Sequence, residues 1–141
     1  MNKIVHTLDI AAERSAVYQA LITTEGLSGW WAAGVQAEEE PGGKVDFRFR
    51  GEFNPVMEIT HLEVGRGVHW KCIDGHETWR DATFGFRLRE YGSGTRLVFT
   101  QQFSGDLEDE IFGIYNYNWG YYLESLRVYC ETGTGKPFRP K

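Results

Sequence analysis

Positive charge is scarce in this chain. Its 15 Lys and Arg stand against 20 Asp and Glu, a formal net charge of -5. That balance argues against gripping a phosphate backbone, which takes a basic stripe, and against docking on an anionic membrane surface. Cysteine is scarce too. Cys72 and Cys130 lie far apart and form no CxxC pair, so neither a disulfide framework nor a redox motif is expected. Long apolar runs are missing. The opening "MNKIVHTLDI" has no signal-peptide h-region, and no stretch approaches the length of a membrane span. These gaps together predict a soluble cytoplasmic protein with reduced thiols. No linker, composition shift or internal repeat divides the sequence, so residues 1–141 are expected to fold as one domain.

Aromatic residues, at 15%, and glycine, at 17 residues, are both abundant, which suits a strongly bent sheet with many turns. "KIVHTLDI" alternates as a strand, with Ile4, His6, Leu8 and Ile10 on one face. Val17, Ala20 and Leu21 then fall at helical spacing, predicting a helix over 13–22. Leu27, Trp30 and Trp31 predict a second, short one capped by Thr23 or Thr24, and weakened by Gly26 and Gly29. From Val35 to Phe103 the signal is strands and turns. Val45, Phe47 and Phe49 share one face, with Lys44, Asp46, Arg48 and Arg50 on the other. Met57, Ile59 and His61 are expected inward on the next strand, followed by Val68, Trp70 and Cys72. Phe84, Phe86 and Leu88 continue the pattern, and Leu97, Phe99 and Gln101 end it. Strands with one apolar and one polar face belong to an antiparallel sheet that is wet on one side. The expected class is α+β, with helices gripped by one curved antiparallel sheet.

The apolar face needs a cover, and the segment from Phe112 to Cys130 can supply it. At about 100° per residue, Phe112, Tyr115, Tyr122, Leu123, Leu126 and Cys130 all fall within roughly 60° of Trp119. Tyr117 and Tyr121 fall on nearly the opposite side, and Gly120 is expected to allow a close approach. Gly133 is placed to end the helix and Pro137 to prevent its continuation. Tyr115, Trp119 and Tyr122 would then meet the rings of Phe47, Phe49, Trp70, Phe84, Phe86 and Phe99. Rigid rings at that density fill space poorly, so a cavity walled by aromatics with a few polar tips is expected.

Several motif-like stretches carry no such chemistry. "HETWR" (His76–Arg80) has Arg80 where a zinc helix needs its second His. "GTGKP" is a helix terminator, not a P-loop, because Pro137 follows Lys136 and no strand precedes it. Glu38, Glu39 and Glu40 read as a solvated strand end. Cys72 and Cys130 read as small buried hydrophobes. His69 alternates outward, whereas His6 and His61 are expected inward as hydrogen-bonded wall residues.

"VYQALITTEGLSGWW" (Val17–Trp31), "GTRLVFTQQF" and "NWGYYLESLRVYCETGTGKPF" stand in this order along the chain. They resemble the motifs of the activator of heat-shock protein 90 ATPase homologue-like family, within the START-like (SRPBCC) superfamily. The resemblance covers Lys3 to Phe138 and implies a helix-grip fold, β-α-α-β6-α, with a cavity between the sheet and the C-terminal helix. Superfamily members bind lipids, sterols, polyketides or plant hormones there, and some catalyse cyclisation or hydrolysis. Two positions depart from the family pattern: Gln101 stands where a His is common, and Asn118 replaces the Gly before the helical Trp.

The expected function is binding of a small hydrophobic or aromatic ligand in that cavity. Trp31, Phe47, Phe49, Met57, Ile59 and Trp70 would form one wall. Phe84, Phe86, Phe99, Trp119, Leu123 and Leu126 would form the other, with His61, Gln101, Tyr115 and Tyr122 orienting polar groups. No cofactor, metal ligand or catalytic residue is assigned. One alternative is a polyketide cyclase- or hydrolase-like enzyme with His61 or Glu58 as base, although strand parity puts Glu58 outward. Another, implied by the family name, is a co-chaperone-like regulator of heat-shock protein 90 ATPase. Tyr117 and Tyr121, one turn apart, suit a homodimer interface.

Overall fold

Residues 2–49 and 54–139 are described by a computed structural model. Arg50, expected on the outer face of a strand, lies outside them. The elements run β1 (Lys3–Ile10), α1 (Arg14–Ile22), α2 (Thr24–Trp30), β2 (Gly34–Ala37), β3 (Lys44–Arg48), β4 (Val56–Glu63), β5 (Gly67–Asp74), β6 (Thr83–Tyr91), β7 (Gly94–Gln102) and α3 (Asp109–Thr132). The strands form one 7-stranded sheet in the order β1-β7-β6-β5-β4-β3-β2, with every pair antiparallel. This is the expected α+β order. It follows from alternation in the strands and from the period switch at α1 and α3.

The helix termini follow local chemistry. Glu13 is the N-cap of α1, and the hydroxyl of Thr23 accepts from the N–H of Gly26 to cap α2. Asp109 and Glu110 in the first turn of α3 complement its dipole. Gly133 ends it in the left-handed region at φ 88°, where a Cβ is disfavoured. A close approach exists in the helices, but not at Gly120, where a Cβ would meet only His6 Cε1 at an ordinary 3.8 Å. It is at Gly29, whose missing Cβ leaves room for the ring of Tyr129 where α2 crosses α3. The low helix propensity of Gly29 is thus offset by tertiary packing.

The core lies between the inner sheet face and the three helices. Phe47, Met57, Ile59, Phe86 and Phe99 are fully buried, and so are Leu21 and Leu27 from α1 and α2. After α3 the chain returns along the α2–β2 junction. Phe138 N–H donates to Trp31 O at 2.7 Å, and Ala33 N–H donates to Phe138 O at 2.9 Å. Ser125 pins this tail, donating its hydroxyl to Trp30 O and accepting from Lys136 N–H. The "GTGKP" stretch is therefore the bend that carries Phe138 back to α2. No described helix is long and apolar enough to cross a membrane.

One expectation about the sheet fails. His61 does not point inward. A register irregularity falls between Ile59, opposite Trp70, and His61, opposite His69. Thr60 is the extra residue of this bulge, so parity flips after it. Thr60 and His61 are both exposed on the outer face, and Leu62 takes the inward place against the core. His6, by contrast, is half-buried on the inner face and its Nε2 bonds Asn116 Oδ1 of α3 at 3.0 Å.

Candidate functional site

Beside the middle of α3 a cleft of about 350 Å³ opens. It is lined by Trp31, Phe49, Trp79, Tyr115, Asn118, Trp119, Tyr122 and Phe138. Four of them come from α3 and the other four from separate segments. Trp31 caps the C-terminal end of α2, Phe49 follows β3, Trp79 sits in the β5–β6 loop, and Phe138 is in the returning tail. Among these described lining residues none carries a charge.

Trp31 is the hub. Its ring centroid stands 4.3 Å from Phe47, 5.0 Å from Trp119, 5.5 Å from Phe49 and 6.4 Å from Trp79. Trp79 and Trp119 lie nearly parallel, 6.2 Å apart with 10° between their planes. Aromatic pairs of this kind contribute about 0.5–1.5 kcal/mol each beyond buried area. The indoles are thus fixed before any ligand arrives. Trp119 is also held by a buried hydrogen bond, its Nε1–H donating to Gln101 Oε1 at 2.7 Å. An indole N–H can only donate, which assigns the oxygen of the amide to this contact. Gln101 Nε2 is buried and has no hydrogen-bond partner among the described residues.

The polar rim is a relay. Tyr115 Oη lies 2.7 Å from Thr78 Oγ1, which lies 2.8 Å from His76 Nδ1. Thr78 N–H also donates to His76 Nδ1, at 3.2 Å. A backbone N–H never accepts, so Nδ1 is the acceptor and the imidazole proton sits on Nε2. The Thr78 hydroxyl therefore donates to His76 and accepts from the phenol of Tyr115. This chain ties the loop bearing Trp79 to α3. "HETWR" is thus an aromatic wall with its tether, and among the described residues no group of three or more His, Cys, Asp or Glu stands close enough to hold a metal ion.

The residues read from sequence as a site divide into three sets. Trp31, Phe49, Tyr115, Trp119 and Tyr122 line the cleft. Phe47, Met57, Ile59, Trp70, Phe84 and Phe86, with Phe99, Gln101, Leu123 and Leu126, lie beneath it at no more than 2% exposure. They shape the floor and do not line the opening. His61 is on the other side of the sheet, and Glu58 pairs outward with Lys44 and Lys71. Three lining residues were missed: Trp79, Asn118 and Phe138. A tryptophan inside a polar turn was the available signal for the first. Phe138 follows a helix stop, where no periodicity speaks.

Burial pushes the Cys72 thiol up to about 11 and the Cys130 thiol up to about 12. Neither is a thiolate at neutral pH, which disfavours nucleophilic chemistry. Burial first, and then neighbouring Tyr121, raises the phenol of Tyr122. It faces the cleft as a neutral hydroxyl, able to donate and accept.

A curved antiparallel sheet closed over a long C-terminal helix, with an aromatic cleft at the junction, is the helix-grip architecture of START-like (SRPBCC) domains. Within that class the chain belongs to the activator of Hsp90 ATPase homolog 1-like protein family, whose model matches residues 11–131. It is similar to the Aha1 dimer of Colwellia psychrerythraea solved in solution, at 29% identity and a TM-score of 0.86, covering 96% of this chain and 100% of that one. It shares its fold with SSP2350 from Staphylococcus saprophyticus (20% identity, TM-score 0.77, 96% of each chain). It also shares it with CalU16 from Micromonospora echinospora (18% identity, TM-score 0.72, 93% of this chain and 77% of that one). A search of curated proteins finds no match.

Proposed function

We propose that the chain binds a small, neutral, largely aromatic ligand in the cleft at α3. The observation that carries this is the lining: seven rings from five separate segments converge there with one amide, that of Asn118, and no described charge. Burying a ligand's apolar surface against them would stabilise it by about 25 cal/mol per Å². The amide of Asn118 and the hydroxyl of Tyr122 would orient a carbonyl or phenol on the ligand. The neutral fluorescent probe N-phenyl-1-naphthylamine tests the reading directly. It should bind saturably and quench tryptophan emission, and Trp79→Ala should weaken it about tenfold or more. Binding that is unsaturable, or indifferent to Trp79, would overturn this.

A second reading concerns partners. Ile114, Tyr117 and Tyr121 of α3 are 53%, 77% and 49% exposed and lie on one side of the helix. Large apolar side chains exposed together mark interfaces. The similar Colwellia protein is described as a dimer. We take this face as the contact between two copies of the chain. The family description suggests a regulator of the Hsp90 ATPase; co-purification of a chaperone with the tagged protein from its native host, lost in a Tyr117→Ser variant, would favour that use of the same face. For the cyclase or hydrolase reading, the bases first considered, His61 and Glu58, both stand away from the cleft.

A further inference from the structure

The outer face of the sheet, opposite the cleft, carries its own hollow. It is about 540 Å³ and centres on Gly85 of β6. Gly85 has His69 of β5 opposite it on one side and Thr100 of β7 on the other. Thr83 and Arg87 stand two residues away along the same face. With no side chain at Gly85 the sheet is bare there; a Cβ would sit 3.3 Å from His69 Nδ1. His61, turned outward by the bulge, completes the rim, its ring 5.7 Å from that of His69.

Three nitrogen-bearing side chains thus converge on one hollow in a chain whose net charge is -5. Arg87 makes no ion pair or hydrogen bond among the described residues, and neither the Thr83 nor the Thr100 hydroxyl has a partner there. Several other cations of this face have partners: Arg96 with Asp9, Arg48 with Asp46, Lys71 with Asp81, and Arg89 over the ring of Tyr91. An unmatched guanidinium beside two imidazoles and two free hydroxyls is the donor set that a tetrahedral oxyanion takes. We infer that the hollow over Gly85 is a binding site for a small oxyanion of the phosphate or sulfate type, held by Arg87, His69 and His61 with Thr83 and Thr100.

The charge pattern agrees. Burial, followed by the nearby His61 and Arg87, holds the His69 imidazole below its ordinary value, and Glu63 acts in the opposite sense. These, with Lys71, its partner Asp81 and Glu58 opposite Lys71, are the described charged groups around His69 on this face. A bound dianion would relieve the repulsion and raise the pKa of His69. By linkage its affinity must then grow as pH falls and the His69 imidazole becomes charged.

Inorganic sulfate is the suitable probe, because its own charge stays constant across the pH range. Ring signals of the four histidines would be followed by NMR at fixed ionic strength. His61 and His69 should shift saturably while His6 and His76 do not. The pKa of His69 should rise on saturation, and affinity should fall about tenfold from about pH 6 to about pH 8. Arg87→Gln, at an exposed position, should weaken binding about tenfold. Gly85→Thr should abolish it by filling the hollow. Inorganic phosphate and phenyl phosphate, run alongside, distinguish a free ion from the terminal phosphate of a larger molecule by which binds more tightly. Linear shifts shared by all four histidines, or shifts unchanged in Arg87→Gln, would overturn the site.

Discussion

Trp119 is fixed on two sides, and the two can be separated experimentally. Its ring packs on Phe99 at 4.1 Å, and its Nε1–H donates to Gln101 Oε1 in a buried setting. Replacing it with Phe keeps a ring but strands the Gln101 acceptor. An unsatisfied buried polar group costs about 1–3 kcal/mol, and the smaller ring adds a packing loss. Gln101→Leu strands the indole N–H in turn, but removes the amide nitrogen that lacks a partner among the described residues. The double variant Trp119→Phe/Gln101→Leu removes both halves. It is therefore expected to be more stable than the sum of the single losses predicts, by about 1 kcal/mol or more. Urea denaturation of the four proteins measures this; simple additivity would show that the bond contributes nothing. Alternation alone placed Gln101 on the inner face. That its partner is an indole nitrogen 18 residues on depends on how α3 is seated on the sheet, which no local pattern encodes.

Elements differ in how openly the sequence declares them. The α3 stripe was legible because one period runs through 24 residues, and Trp119, Leu123 and Leu126 are buried as that period requires. The faces of β3, β5, β6 and β7 were legible for the same reason with period 2. The fourth strand defeated the rule at Thr60, since a bulge leaves no mark in an alternation read residue by residue, and His61 went to the wrong face. The β5–β6 loop was illegible for another reason. Trp79 is placed by hydrogen bonds among His76, Thr78 and Tyr115, not by periodicity. In the short α2, glycine looked like a weakness. Its meaning is steric, since the Tyr129 ring occupies the space a Cβ would take at Gly29. Gly29→Ala is accordingly expected to destabilise the protein by about 1–3 kcal/mol, although alanine is the better helix former. The loss should shrink in Gly29→Ala/Tyr129→Leu. A stabilised Gly29→Ala in thermal unfolding would mean that propensity outweighs packing at this crossing.

Across the whole molecule, the cleft and the proposed contact face are not independent. Asn118 and Tyr122 line the cleft, while Ile114, Tyr117 and Tyr121 belong to the adjoining exposed side of the same helix. The ring of Tyr121 stands edge-on to that of Tyr122, 5.1 Å between centroids. A second copy seated on Tyr121 would therefore restrain a wall of the cleft, and a ligand against Tyr122 would restrain part of the contact. Such coupling is reciprocal: whatever factor the dimer adds to ligand affinity, the ligand must add to dimer affinity. Ile114→Ser/Tyr117→Ser removes two exposed side chains of this face and leaves the Tyr121–Tyr122 contact in place, so the fold should survive while the sedimenting mass halves. In that monomer N-phenyl-1-naphthylamine should bind about threefold or more weaker than in the parent. In the parent, saturating probe should tighten the dimer by the same factor, read by analytical ultracentrifugation across a dilution series. A mass unchanged by the two substitutions would remove this face from the interface. A halved mass with unchanged probe affinity would leave the face as an interface and uncouple it from the cleft.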